Sequence, residues 1–289
     1  MRESRVASDR FRHVVEAALI PCRPQQALNE VPEVNVAQAY GAQFASIYNT
    51  QWTGFARRMA PRIERFYQGL PRSVRRHRTL LDLCCGTGQF AAYFLRQGFD
   101  VTALDLSGPM LELAKENVRD SVTNSSATFV QADAAQFQLD KPHGLVVATY
   151  NALNHLPHLD DLRSCFASVA AATVPGGCFI FDLYTRKGLR QWNGISVTDT
   201  GDIFTIQRGI YDGGSRAQTL FTGFIRDAEG EKFTRFEESI YNTVFDLTRV
   251  QKLLTETGWT SAYFARSDDL AAPISEPELE DRVWIVARR

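Results

Sequence analysis

A strand–turn–helix pattern at residues 79–91 constrains the fold of this chain more than any other feature. The apolar run 79–83 contains an acid, Asp82, and leads into the glycine-containing turn 84–88, after which a helical pattern begins. In open α/β sheets, such a turn lets a ligand approach the backbone and the N-terminus of the following helix. The segment therefore predicts an α/β sheet that binds a nucleotide-type cofactor at the end of this strand.

Strand and helix patterns alternate regularly beyond this point. Predicted strands lie at 79–83, 100–104, 127–131, 144–149 and 178–182, and predicted helices at 88–97, 108–119 and 159–172. Ser107 is the expected N-cap of the second of these helices, and the turn Pro175-Gly176-Gly177 precedes the fifth strand. Because strands that alternate with helices run parallel, we predict a mostly parallel sheet with helices on both faces.

The alternation stops after the fifth strand. Residues 184–245 are rich in β-branched and aromatic residues separated by glycine-containing turns, which predicts an inserted antiparallel sheet of three or four strands. A helix at 246–257 and a strand pair at 261–266 and 283–287 then complete a seven-stranded core. We accordingly predict four parts, namely a flexible leader (1–35), a helical lid (36–78), a cofactor-binding core (79–183 and 246–289) and the insert (184–245).

Composition and charge favour neither nucleic acid nor a membrane as partner. The formal net charge of −1 gives no drive toward nucleic acid or an anionic membrane. We find no apolar run of the roughly 20 residues that span a bilayer, and no secretory signal. The five cysteines lack metal-ligand spacing, and Cys84 and Cys85 are adjacent. We therefore expect reduced thiols, no metal site and a cytoplasmic location.

The glycine-containing turn at 84–88 could also belong to a dinucleotide-binding site. Residues 86–91 fit the pattern G-x-G-x-x-[GA], and Asp105 follows about 20 residues later, as in NAD-binding proteins. Three features instead favour S-adenosylmethionine. Asp82 lies four residues before Gly86, where a dinucleotide strand normally stays apolar; Asp133 follows the third strand, where an adenine amine could be recognised; and the final strand pair matches a sheet with a reversed last strand.

From residue 36 to 289 the chain resembles the class I S-adenosylmethionine-dependent methyltransferases. The resemblance rests on four ordered segments: 82–88, 105–110, 133–134 and 175–177. It implies that Asp105 binds both ribose hydroxyls, that Leu106 and Met110 flank the adenine, and that Asp133 and Ala134 contact the adenine amine. The predicted cofactor-binding residues are Asp82, Cys84, Gly86, Gly88, Asp105, Leu106, Met110, Asp133, Ala134, Tyr150 and Tyr48.

One residue departs from the family pattern, which is acid-x-Gly-x-Gly-x-Gly. Cys84 stands where the first glycine is expected. Because glycine adopts backbone conformations that other residues avoid, this exchange leaves the detailed loop geometry open.

The methyl acceptor is expected beyond the carboxyl end of the fourth strand, at 148–156, which resembles the family segment next to the transferable methyl group. His155 is the candidate general base, with a capping or gap-filling role as its alternative. Tyr40 and Tyr48 resemble the N-terminal tyrosines of small-molecule members, where a helix covers the cofactor. The predicted substrate-binding residues are Tyr40, Asn151, Asn154, Tyr184, Trp192, Arg208 and Tyr211.

The resemblance implies methyl transfer to the N or O of a small-molecule metabolite. We predict that the insert forms the roof of the acceptor pocket or a homodimer contact. Two other functions stay open. The basic stretch 72–78 could anchor RNA or a protein substrate, and the chain could bind S-adenosylmethionine as a sensor without catalysis.

Overall fold

Runs of apolar residues bounded by turns form two separate sheets in the computed structural model, which describes residues 40–121, 126–227 and 229–289. The strands are β1 (Thr79–Leu83), β2 (Asp100–Asp105), β3 (Ala127–Gln131), β4 (His143–Ala148), β5 (Thr173–Tyr184), β6 (Gly194–Asp199), β7 (Ile203–Ile210), β8 (Arg216–Arg226), β9 (Phe233–Thr243), β10 (Ser261–Ala265) and β11 (Arg282–Arg288). The helices are α1 (Ala42–Gln51), α2 (Gly54–Gln68), α3 (Arg72–Arg75), α4 (Gln89–Arg96), α5 (Gly108–Val118), α6 (Leu159–Ala171), α7 (Arg186–Arg190) and α8 (Leu247–Glu256).

The larger sheet has seven strands in the order β10-β11-β5-β4-β1-β2-β3. Its central strands pair in parallel, and β11 is antiparallel to both β5 and β10. The carboxyl ends of β1 to β5 therefore meet at one edge of the sheet, where ligands of such sheets bind. This arrangement confirms the predicted fold class, including the reversed last strand.

Helices cover both faces of the large sheet because its strands are apolar on both sides. Leu81 and Leu83 of β1 pack in a cluster with α6 and α8, whereas Leu80 packs in a second cluster with α2 and α4. Alternate residues of β5 and β11 divide between the same two clusters. The edge that carries the loops is thus held by a core on either side.

The smaller sheet is an antiparallel meander of four strands in the order β6-β7-β8-β9. These strands span Gly194–Thr243 and so lie within the predicted insert. α1 packs between this sheet and the core, since Phe44 and Ile47 share a buried cluster with Met110 of α5 and with Phe221 and Ile240 of the insert.

Two details go beyond the sequence-based expectations. The described part of the predicted helical lid, 36–78, contains α1 and α2 as separate helices with a break at Trp52–Thr53. Pro175-Gly176-Gly177 lies inside β5 rather than before it, and the register between β4 and β5 shifts there because Gly176 has φ +76°. The predicted leader, 1–35, lies outside the described residues, and the division into four parts stays a prediction. Among the helices described, none is long and apolar enough to cross a membrane.

Candidate active site

The turn after β1 has a left-handed backbone at every second residue. Cys84, Gly86 and Gly88 have φ values of +57°, +54° and +75°. Glycine adopts this region freely, whereas an L-residue such as cysteine does so at a cost of about 1–2 kcal/mol. Cys84 therefore adopts the left-handed conformation that favours glycine, the residue that the family pattern has at this position.

Asp105, at the end of β2, ties this turn to the neighbouring strand. Its Oδ2 accepts a hydrogen bond from Gly86 N at 2.8 Å, and its Oδ1 accepts one from Ser107 N at 2.9 Å. Burial raises the pKa of Asp105, while the backbone N–H groups of Ser107, Gly86 and Leu106 oppose the rise. The carboxylate is thus fixed in position at the sheet edge.

A cavity of about 340 Å³ opens at this edge, between the core, α1 and the small sheet. All of the predicted cofactor-binding residues except Asp82 and Gly88 line it. α1 and the residues flanking it contribute one face, because Tyr40, Phe44, Tyr48 and Trp52 recur at a spacing of four. Its volume falls within the range of about 300–1,000 Å³ that is typical of small-molecule sites.

Asp82 and Gly88 lie beside the cavity rather than in its wall. Asp82 is 2% exposed, accepts a hydrogen bond from Ala91 N of α4 at 3.1 Å, and lines a recess of about 30 Å³. The recess and the cavity share Tyr48, Cys84 and Tyr150. Burial raises the pKa of Asp82 to about 7. Gly88 has a packing role, since a Cβ there would lie 2.9 Å from Cβ of Ala114.

Among the residues predicted for the acceptor, Tyr40, Asn151, Tyr184, Trp192 and His155 line the cavity. His155 Nδ1 lies 2.8 Å from the carbonyl oxygen of Tyr241, which can only accept, so Nδ1 carries the proton. The other ring nitrogen, Nε2, therefore accepts from the hydroxyl of Tyr40 at 3.2 Å. Burial lowers the pKa of His155 and raises that of Tyr40.

Asn154, Arg208 and Tyr211, which were also predicted to bind the substrate, do not line the cavity. Asn154 is fully buried and bonds the backbone of Tyr184 and Thr243. Arg208 is exposed, because it lies on the opposite face of β7 from the cavity-lining Gln207. Tyr211 is buried in a separate cluster and donates to the carbonyl oxygen of Gly214.

A buried ion pair that the sequence pattern did not reveal holds the segment after β4. Tyr150 and Asn151 have φ values of +66° and +53°, a strained state for non-glycine residues. The carboxylate of Asp182, on β5, accepts from both of their backbone N–H groups and pairs with Arg282 on β11. Burial raises the pKa of Asp182, and the guanidinium of Arg282 opposes that rise.

The small sheet supplies lining residues that were also missed: Gln207, Thr219, Phe221, Ile240 and Asn242. Alternation along β8 and β9 identifies one face of each strand, since every second residue of β8 from Ala217 to Gly223 is buried. Nothing in the sequence indicates that this face meets the carboxyl edge of the other sheet.

Comparison with known proteins identifies the family. A family model described as a methyltransferase domain matches residues 80–177. An uncharacterised methyltransferase of Synechocystis sp. is 30% identical over 177 residues, which are 53% of this chain and 80% of that protein. The chain belongs to the class I S-adenosylmethionine-dependent methyltransferases. Its cofactor is accordingly S-adenosylmethionine, and the dinucleotide alternative falls away.

Two further similarities bear on this methyltransferase. The dTDP-3-amino-3,4,6-trideoxy-alpha-D-glucopyranose N,N-dimethyltransferase of Streptomyces venezuelae is 31% identical over 104 residues, which are 36% of this chain and 41% of that protein. A crystal structure of an S-adenosylmethionine-dependent methyltransferase from Clostridium acetobutylicum shares the fold, with a TM-score of 0.68 and 21% identity over 85% of this chain and 97% of that one.

Proposed function

We propose that this methyltransferase transfers the methyl group of S-adenosylmethionine to a nitrogen or oxygen of a small molecule. The observation that carries the proposal is the single cavity in which the predicted cofactor residues and the residues of the small sheet face each other. The main task of such an enzyme is to orient the acceptor and to exclude water from the reacting atoms. A cavity of this kind can serve both purposes.

The residues at the sheet edge fit the cofactor. Gly86 lines the cavity next to Tyr48, since a Cβ at Gly86 would lie 3.5 Å from the tyrosine ring. The oxygens of Asp105 accept hydrogen bonds from the backbone N–H groups of Gly86 and Ser107, and we assign their remaining lone pairs to the ribose hydroxyls. Asp133, whose Oδ1 accepts from Ala135 N at 2.8 Å, is assigned to the adenine amine.

Asp82 is assigned to the methionine end of the cofactor. Its carboxyl lies in the recess that shares Tyr48 and Tyr150 with the cavity, and an ammonium group there would favour the ionised form. Gln89, at the start of α4, lines the same recess.

The protonation of His155 favours a neutral amine as acceptor. The bound sulfonium supplies an activated methyl group, so a base is needed only for an acceptor that must lose a proton before it attacks. The Tyr40–His155 pair could take that proton by moving the tyrosine proton to Nε2, but burial lowers the pKa of His155 and disfavours the imidazolium. An amine that enters the site already unprotonated avoids this demand. Amino sugars are the first acceptors to test, given the name of the Streptomyces venezuelae relative.

The basic stretch 72–78 lies far from the cavity. It immediately precedes β1, so it lies at the amino end of the parallel strands, while the cavity opens at their carboxyl end. The five residues of β1 separate the two ends by about 17 Å. Arg78 is also engaged within the protein, since it lies over the ring of Phe99 at 4.6 Å. This placement supports a small acceptor over RNA.

The test is methyl transfer from S-adenosylmethionine to a panel that contains dTDP-amino sugars, other amines, phenols, RNA and protein. We expect a methylated small molecule, and we expect Asp105→Asn to lose cofactor binding while the exposed control Asp160→Asn keeps it. Transfer to RNA alone, with a steep loss of activity in salt, would contradict the proposal. Binding of S-adenosylmethionine without transfer to any member would identify a sensor instead.

A further inference from the structure

Two residues that line the cavity each carry a buried polar group that lacks a hydrogen-bond partner among the described residues. These groups are Nδ2 of Asn242, on β9, and the hydroxyl of Thr219, on β8. Both residues are buried, with 0% and 1% of their surfaces exposed. Buried polar groups are nearly always hydrogen-bonded, so an unpartnered pair in a ligand cavity points to an atom that a ligand supplies.

The orientation of the Asn242 amide follows from a chain of hydrogen bonds. Arg282 can only donate, and its Nη2 lies 3.3 Å from Asn151 Oδ1, which must therefore be the acceptor. The Nδ2 of Asn151 in turn donates to Asn242 Oδ1 at 2.9 Å. Asn242 consequently offers its N–H₂ group, a pure donor, as the free end of its amide. Arg282 is itself held by Asp182, which fixes the start of the chain.

The small-sheet residues that line the cavity beside these two groups, Gln207, Phe221 and Ile240, are uncharged. The acids that line the cavity, Asp105 and Asp133, lie at the carboxyl edge of the other sheet. Of the residues described, neither a lysine nor an arginine lines the cavity. A phosphate or carboxylate would find no countercharge here, whereas a neutral oxygen would find a donor beside an apolar surface.

We propose that Asn242 and Thr219 form a specificity site that binds a neutral hydrogen-bond-accepting oxygen of the methyl acceptor. The oxygen is a hydroxyl, ether or ring oxygen of a compact ring that packs against Phe221 and Ile240. Any charged part of the acceptor stays outside the cavity. This inference rests on the proposed function, because it assigns the small-sheet half of the cavity to the acceptor.

The test compares two rings that differ by one oxygen, tetrahydropyran and cyclohexane, on the protein loaded with S-adenosylhomocysteine. Binding is measured by ligand-detected NMR for wild type, Thr219→Val, Asn242→Leu and the control Thr222→Val, which alters the same strand on its opposite face. We expect the affinity ratio of tetrahydropyran to cyclohexane to fall about fivefold in the first two variants, the effect of one lost hydrogen bond. The control should keep the wild-type ratio.

An unchanged ratio in both site variants would contradict the inference, as would binding of neither ring to the wild type. Thr219→Val removes one hydroxyl without changing volume, so it carries the test if Asn242→Leu fails to fold. The binding assay involves no turnover, which separates the two proposals. If Thr219→Val lowers the affinity ratio but the wild type methylates no small molecule, the proposed function alone is refuted. If the wild type methylates a small molecule but the ratio is unchanged in both site variants, the specificity site alone is refuted.

Discussion

At the scale of single residues, Cys84 shows how a backbone conformation survives the loss of its usual glycine. With φ +57°, the position tolerates a side chain that is unbranched at Cβ but not a branched one. We expect Cys84→Gly to keep the affinity for S-adenosylhomocysteine within about threefold, and Cys84→Val to lower it at least about tenfold, which corresponds to the cost of a strained residue. Calorimetric titration of the two variants measures this. Equal affinities would show that the loop does not need the left-handed conformation.

Because of Asp82, we expect the affinity for the cofactor to depend on pH. Burial raises its pKa from 3.8 to about 7, so the free protein holds it partly protonated near neutral pH. If the cofactor ammonium binds the carboxylate, the affinity for S-adenosylhomocysteine falls about tenfold from pH 8 to pH 6, as one proton must be displaced. Asp82→Asn should bind more weakly and lose this dependence, while Asp160→Asn should retain it. A pH-independent wild type would remove Asp82 from the cofactor site.

The stability of the free protein responds to Asp82 with the opposite sign. A carboxyl whose folded pKa lies above its unfolded value stabilises the fold at low pH, and this contribution is lost as the pH rises from 3.8 through about 7. Denaturant unfolding of wild type and Asp82→Asn at pH 5 and pH 8 therefore provides a second measurement, free of ligand.

At the scale of elements, the contact between α4 and α5 depends on Gly88. A Cβ there would approach Cβ of Ala114 to 2.9 Å and Cα of Ala114 to 3.1 Å, in addition to the strain of φ +75°. Gly230 has a similar φ of +77° with nothing within 4 Å, so Gly230→Ala isolates the backbone strain. We expect Gly88→Ala to lower the free energy of unfolding by about 1–3 kcal/mol more than Gly230→Ala does, owing to overpacking. Similar losses in the two variants would mean that the helices move apart without cost.

The sequence predicted the helices and strands better than it predicted the residues of the site. Periods of two and of three to four residues predicted the strands of the large sheet, the helices between them and an insert of three or four strands, because burial of one face imposes those periods. A period alone does not choose which face of a strand meets a site. Arg208 was predicted to bind the substrate, yet its neighbour Gln207 is the residue that lines the cavity, and an alternating strand without a known partner gives no basis for that choice.

At the scale of the whole molecule, the cavity exists because the two sheets meet across α1. The half of the cavity that we assign to the cofactor could be predicted, since its residues follow strands whose carboxyl ends must share one edge. The small-sheet half could not, because Thr219 and Asn242 are brought to that edge by packing between segments more than a hundred residues apart from the loop. The ion pair of Asp182 and Arg282, which are separated by 100 residues, could not be predicted for the same reason.

Phe44 tests whether α1 joins the two sheets into one stable unit. Its side chain is 2% exposed and packs against Phe221 of the small sheet and Trp52, with ring centroids 5.2 Å and 5.5 Å apart. Phe44→Ala should lower the free energy of unfolding by about 3–5 kcal/mol, as expected for a large side chain deleted from a core. It should also weaken S-adenosylhomocysteine binding, because Phe44 lines the cavity.

The matched control for this variant is Phe224→Ala, which removes the same type of side chain from β8 of the small sheet at a position that is 40% exposed, and for which we expect a much smaller loss. Both variants are compared by denaturant unfolding followed through tryptophan fluorescence and circular dichroism. If α1 carries the contact between the sheets, the two probes report one transition in wild type and in Phe224→Ala. A Phe44→Ala variant as stable as the control would mean that α1 covers the cavity without stabilising the contact between the two sheets. The core and the small sheet would then be held together at the ends of β5 and β9, through the hydrogen bonds of Asn154 and Asn242.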